Sequence, residues 1–140
     1  MKPLLAYLKN PAEKALEIPK EVFVVVKPGF LNKANQIIDK FARKGLVFKQ
    51  MRTKQLTLGE AKRMYYVHKD EDFYYKLCKY MSSGPCLGII FDASGIADPF
   101  KVTDALKDEI RDQFGEDDMR NCLHSSDNVE NMNKEKTVFF

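Results

Sequence analysis

Tryptophan is missing from this chain, and histidine is nearly so, with two copies in 140 residues. Cysteine is scarce and odd in number at three, and Cys78, Cys86 and Cys122 form no C-x-x-C spacing. That argues against a zinc site or a disulfide framework, and buried thiols in a reducing, cytoplasmic setting are expected. No apolar run is long enough to cross a bilayer, and "MKPLLAYLKN" is too short in its apolar part for a signal peptide. No membrane partner is therefore expected. G-x-G-x-x-G and Walker-type loops are both lacking, which removes the conventional phosphate cradles. Charge of one sign is lacking too. The net charge is +3 and the basic residues are dispersed, so nucleic acid is not favoured as a partner. A basic lining for a phosphate ligand stays open.

What is present fits one globular domain with a real core. The hydrophobic fraction is 44% and the charged fraction 31%, both ordinary values. Residues 1–21 read as an N-terminal extension punctuated by Pro11 and Pro19, with a short helix over "AEKALEI". Residues 22–140 read as the domain. "EVFVVVKPG" is a β-branched run stopped by Pro28-Gly29 and predicts a strand buried on both faces. In "NKANQIIDKFARKG", Ala34, Ile37, Ile38 and Phe41 recur at helical spacing and Gly45 supplies a stop. "LVFKQMRTKQL" predicts a second strand. Thr57 and Glu60 have the T-x-x-E form of a capping box, so a helix starts there. A further helix is expected through "DEDFYYKLCKYM", then a buried strand in "CLGIIFDA" and a loop in "SGIADPF". "VTDALKDEIRDQFG" predicts a helix and "NCLH" a short strand. Ser126, Asp127 and Asn128 offer caps for a last helix, after which "TVFF" is expected to fold back. The order β-α-β-α-α-β-α-β-α predicts an α+β fold, a ferredoxin-like sandwich with a four-stranded antiparallel sheet covered by helices.

Few residues stand out for chemistry. His124 ends the last strand, just before a helix start. Neutral imidazole is a good nucleophile near neutral pH if one nitrogen is free and the other held. Glu135 follows about three helical turns later and could lean back over the ring. Packing of an ordinary histidine beside a solvated glutamate is the other reading of the pair. Lys27 ends an apolar strand and could meet an anion there, or simply snorkel. Arg111, near a helix end, could grip phosphate or answer the helix dipole. Asn121 could donate to a ribose or phosphate oxygen, or to backbone. Tyr65 and Phe73 could stack on a base or pack in the core.

Taken together and in order, "VVVKPG", "IIDKFARKGL", "YYVHKDEDFYYKLCKYMSSGP", "IRDQFG" and "RNCLHSSDNVENMNKEKTVFF" resemble the nucleoside diphosphate kinase family. The last is similar to that family's "RNxxHGSDSxExAxxEIxxFF" pattern. The resemblance runs over about residues 22–140. It implies ping-pong transfer of a γ-phosphate between nucleoside triphosphates and diphosphates, with His124 phosphorylated in between. Glu135 would orient the ring and Ser126 would support the same network. Lys27 would bind phosphate and stabilise charge in transfer, with Tyr65 close by. Phe73 would stack on the base, Arg111 would bind phosphates and Asn121 the sugar hydroxyl. Mg²⁺ would arrive with the nucleotide phosphates, so no protein-built metal site is expected. The partners implied are ATP and other nucleotides, together with further copies of the chain in a dimer or hexamer.

The sequence also departs from the family. "KPGF" replaces "KPDG" and the turn is shorter, and Ser125 stands where "HGSD" has glycine. The segment between Phe91 and Arg111 is shortened, removing an arginine and a threonine that contact phosphates. Lys101 and Thr103 are the candidates to replace them. The alternative this raises is a catalytically weak or inactive nucleotide-binding or protein-interaction module on the same fold.

Overall fold

The computed structural model describes residues 18–140, so the short helix expected over residues 12–18 lies outside the described residues but for Ile18. Among the described residues four strands alternate with five α-helices: β1 (Glu21–Val26), α1 (Ala34–Arg43), β2 (Val47–Lys54), α2 (Leu58–Met64), α3 (Tyr74–Met81), β3 (Cys86–Asp92), α4 (Pro99–Phe114), β4 (Leu123–Ser125) and α5 (Val129–Phe139). Short 3₁₀ turns at Leu31–Lys33 and Tyr66–His68 precede α1 and follow α2. The sheet has the order β2-β3-β1-β4, with every neighbouring pair antiparallel. This is the ferredoxin-like arrangement expected from the element order.

Strand alternation builds two cores from one sheet. Val22, Val24 and Val26 of β1 face α1 and α4, packing with Ile37, Phe41, Leu106 and Ile110. Phe23 and Val25 face the other way, onto Ala61, Met64, Leu77, Met132 and Phe139 from α2, α3 and α5. That double burial is why "VFVVV" carries no polar residue. β2 is the exception. It is an edge strand, exposed along nearly all its length.

Local chemistry sets the helix ends. Thr57 Oγ1 accepts from Glu60 N at 3.1 Å, and Glu60 Oε1 accepts from Thr57 N at 3.0 Å, so the expected capping box is formed. Gly45 adopts φ +89, the left-handed stop that its position after α1 calls for. Three boundaries differ from expectation. α4 starts at Pro99, inside the segment read as loop, because Asp98 caps it by accepting from Lys101 N and proline suits a first turn. α3 is shorter than expected and begins only at Tyr74, after turns through the acidic run Asp70–Asp72. "TVFF" does not fold back; α5 continues through Phe139, which is buried, while Phe140 stays partly exposed. No helix among the described residues is long and apolar enough to cross a membrane.

Candidate active site

The site lies at the end of β1 beside the outer strand β4. Val25 pairs with His124 across the two strands. Leu123 packs toward α1 and α4, so alternation turns His124 to the opposite face, toward α2 and α5. Lys27 extends the Phe23–Val25 alternation onto that same face. Its backbone N–H donates to Cys122 O at 2.9 Å, which fastens the end of β1 to the start of β4. Cys122 carries φ +82, a left-handed conformation that costs a side-chain-bearing residue of order 1–2 kcal/mol. The strain sits one residue before β4, next to the chemistry.

His124 Nε2 and Glu135 Oε1 are 2.6 Å apart. Glu135 falls on the inner stripe of α5 with Met132, Val138 and Phe139, which fixes its direction. An ionised carboxylate can only accept, so Nε2 carries the proton and a neutral ring keeps its lone pair on Nδ1. The Tyr65 ring meets the His124 ring edge-on, with centroids 5.1 Å apart. Burial pushes the Tyr65 phenol well above its usual pKa, helped by the Glu135 charge, so it stays a hydroxyl donor.

Two cations complete the cluster. Lys27 is almost fully buried and its Nζ donates to Met119 O at 3.1 Å. Burial lowers its pKa to about 7, and the neighbouring Arg111 charge pushes the same way. Arg111 reaches from the last turn of α4 to the sheet edge, where Nε donates to Leu123 O at 2.9 Å. Its own pKa is lowered by burial. Neither cation has an ion-pair partner among the described residues. A buried lysine beside a half-buried arginine, without an ion-paired carboxylate, is costly to charge unless an anion joins them.

Some buried hydrogen-bonding capacity goes unused. Among the described residues, the buried side-chain polar atoms without a protein partner are Tyr65 Oη, Thr103 Oγ1, Asn121 Oδ1, Ser125 Oγ, Ser126 Oγ and Glu135 Oε2. All but Ser125 belong to residues the sequence singled out. Native proteins leave few such groups, and two of them, on Tyr65 and Glu135, belong to the residues that touch the His124 ring. Asn121 is already half committed, its Nδ2 donating to Asp118 O at 2.9 Å. Ser126 is buried beside this cluster, but no hydrogen bond joins it to Glu135.

Phe73 stands outside the buried cluster, exposed at the start of α3. A residue the sequence reading passed over connects it inward. The His68 ring lies 5.5 Å from Phe73 and 6.5 Å from Tyr65, so four rings run from the surface to His124. The i+3 step from Tyr65 to His68 was the available signal. Tyr80 was also missed. It donates to Pro28 O at 2.5 Å and lies under Arg120, bracing the turn that carries Lys27. In that turn Gly29 adopts φ +91, which explains a glycine directly after Pro28. The two loop candidates stand apart. Lys101 is exposed on the first turn of α4, and Thr103 is buried on the inner face of that helix with Leu106 and Ile110. The structure shows no contact joining either to His124 or Lys27.

Comparison with known proteins identifies the family. The family model for nucleoside diphosphate kinase matches residues 20–140. The chain belongs to the nucleoside diphosphate kinase family. A nucleoside diphosphate kinase of Hyperthermus butylicus is 32% identical over 130 residues, covering 86% of this chain and 92% of that protein. One from Kosmotoga olearia is 30% identical over 133 residues, covering 86% and 88%. The crystal structure of the Aquifex aeolicus nucleoside diphosphate kinase superposes with a TM-score of 0.73 at 26% identity, covering 86% of this chain and 94% of that one. The Aquifex aeolicus protein shares the fold.

Proposed function

We propose that this chain is a working nucleoside diphosphate kinase that moves a γ-phosphate through a phosphohistidine. The observation that carries the reading is the His124–Glu135 pair. With Nε2 held at 2.6 Å, Nδ1 is the free nucleophile. Nδ1 attacks the γ-phosphorus of a nucleoside triphosphate, the bond to the β,γ-bridging oxygen breaks, and the diphosphate leaves. A second diphosphate then takes the phosphoryl group back from Nδ1 by the reverse displacement. Glu135 stabilises the positive charge that grows on the ring. Lys27 and Tyr65 donate to the transferring phosphoryl oxygens, and Arg111 neutralises the remaining phosphates. Asn121 contacts the sugar and Phe73 stacks on the base, which tolerates any base because each has a π-face. Ser126 supports Glu135.

Mg²⁺ belongs to the substrate in this scheme. Among the described residues no group of three or more His, Cys, Asp or Glu side chains could hold a metal ion. A cation bridging nucleotide phosphates needs no such cage. Self-association belongs to the same proposal, as a dimer or hexamer. The edge strand β2, which pairs only with β3 among the described residues, exposes Val47, Phe48 and Met51, and bare apolar edges are usually covered. A cytoplasmic location fits three buried free cysteines.

One observation favours the weaker reading, a nucleotide-binding module without turnover. Lys101 is exposed and Thr103 is buried at 1% exposure, and no hydrogen bond ties either to His124 or Lys27 among the described residues, which supports a site short of phosphate contacts. Mass spectrometry of the intact protein after Mg-ATP decides between the two. A working kinase gains one acid-labile phosphate, loses it to added diphosphate nucleoside, and gains none as His124→Ala. A folded, nucleotide-binding protein that gains none is the module.

A further inference from the structure

Residues 115–122 join α4 to β4 without helix or strand, yet the join is tightly closed. A Cβ on Gly115 would stand 3.1 Å from Asn121 Cα, so the two ends of the loop meet. Glu116 N donates to Arg120 O at 2.7 Å across it. Between them, Asp117 Oδ1 accepts from Met119 N at 2.9 Å and from Arg120 N at 2.6 Å. A short acidic side chain that takes backbone N–H groups two and three residues on makes a turn of its own. The Met119 side chain packs against the core shared by α2, α3 and α5, which anchors the turn.

The turn has one product inside the site. It aims Met119 O at Lys27 Nζ, 3.1 Å away, and among the described residues that carbonyl is the only acceptor Nζ has. The other charged and titratable groups around Lys27 give little help. Arg111 of α4 opposes its charge, while Cys122, Cys86 and Asp117 favour it. Burial pushes the two thiols up to about 11 and about 12, so near neutral pH Asp117 is the one anion of those three. The N–H groups of Arg120 and Met119 hold its carboxyl below the usual range. Asp117 is exposed and fills no part of the core, so its bonds to the loop are what it contributes.

We propose that Asp117 is a positioning residue for Lys27: its carboxylate shapes the loop that aims Met119 O at Nζ, and so sets where the ammonium waits for the phosphates of a nucleotide. Asp117 touches no reacting atom in this scheme and works through the carbonyl of Met119. The part played by nucleotide rests on the function proposed above. The hold on Lys27 does not.

The test compares Asp117→Ala, which removes both turn bonds, with Asp117→Asn, whose amide oxygen still accepts them. In the full chain with ¹³C-labelled lysine, the pH midpoint of the Lys27 ε-carbon reads the hold on Nζ without any nucleotide. In Asp117→Ala it should fall by about one pH unit, because the amine loses its acceptor and the nearby anion together. In Asp117→Asn it should fall by less than about half of that. An unmoved or raised midpoint in Asp117→Ala, or equal falls in the two variants, overturns the proposal. Calorimetry with Mg-ADP adds the link to phosphate. Affinity should drop about 10-fold in Asp117→Ala, the loss of one charge-assisted hydrogen bond, and stay within about 2-fold in Asp117→Asn. In a Lys27→Met background, Asp117→Ala should cost less than about 2-fold, because the group it positions is gone. A full loss in that background sends the effect through Asn121 on the same loop and overturns the role for Lys27. A wild-type chain that binds no Mg-ADP sinks the proposed function, and the lysine midpoint still decides this one.

Discussion

Glu135 Oε1 lies 2.6 Å from His124 Nε2, although one residue belongs to α5 and the other to the outer strand of the sheet. The pairing depends on α5 starting in the right place, and Asn128 ensures that by accepting from Asn131 N at 2.8 Å. A carboxylate in this position does two things. On the proposed function, it fixes the tautomer and offsets the charge the ring acquires. Glu135→Gln keeps the shape and removes the charge. The rate of ³²P incorporation from Mg-ATP should fall about 10- to 100-fold, the usual cost of losing a group that orients a reactive histidine. Thermal unfolding should barely move. An unchanged labelling rate would remove Glu135 from the mechanism.

Lys27 makes a prediction about protons. Burial, with Arg111 nearby, lowers its pKa to about 7 against an ordinary lysine value of 10.5. At pH 8 the free protein therefore holds it largely neutral. Nucleotide phosphates favour the charged form, so binding ADP at pH 8 should take up close to one proton. Calorimetry in Tris and in HEPES, whose ionisation enthalpies differ, reads this directly. Lys27→Arg should abolish the buffer dependence, since guanidinium does not titrate there. Identical enthalpies in both buffers for the wild type would contradict the prediction.

The same shift fixes a stability trend. Between pH 7 and 10.5 the unfolded chain binds a proton that the folded chain does not. Lys27's contribution to stability therefore rises with pH across that window, and its burial penalty is present in full below about pH 7. Lys27→Met should be more stable than wild type at pH 6, with the gain shrinking as the pH approaches 10. Urea midpoints across that range measure it, and a gain that grows with pH would show the sign to be wrong.

Much of this was legible because the relevant residues declare themselves locally. β1 shows itself as an unbroken β-branched run, α2 as Thr57 with Glu60, and the end of α1 as Gly45. Spacing offered the pairing of His124 and Glu135 only as one of two readings, and the family resemblance chose between them; in the structure Glu135 is about two turns into α5. Other features carry no such mark. Lys27 is held by the carbonyl of Met119, and a backbone acceptor has no residue type to read. The stacking of His68 between Tyr65 and Phe73 depends on how a 3₁₀ turn joins α2 to the turns before α3, a matter of backbone path. The start of α4 was legible in principle from Asp98-Pro99, but Gly95 nearby made the segment read as loop.

Gly88 in the middle of β3 faces the end of α5. A Cβ there would stand 2.8 Å from the ring of Phe139, and the ring is fully buried against Phe23. Gly88→Ala should therefore cost about 1–3 kcal/mol, the usual penalty for overpacking a closed core. The urea midpoint should fall without a change in slope. Phe139→Leu opens a cavity by itself, yet in the double variant the two losses should partly cancel. Additive losses would mean that the ring is not what the new methyl strikes.

Phe73 tests the nucleotide reading at its outer end. Its ring is 43% exposed, with His68 packed behind it, so the outward face is free and its orientation is supported. Stacking of a base on an aromatic side chain is worth about 1–3 kcal/mol. On the proposed function, Phe73→Ala should raise KM about 5- to 150-fold for purine and pyrimidine diphosphates alike. The turnover number should hold, because the base lies away from the reacting phosphates. His68→Ala should give part of the same KM effect by loosening the platform without removing it. Steady-state kinetics with four diphosphate acceptors separates the cases. A loss of turnover with KM unchanged would place Phe73 in the packing of α3 and take the base elsewhere. A loss confined to purines would mean that recognition comes from base edges, and that the ring only fills space.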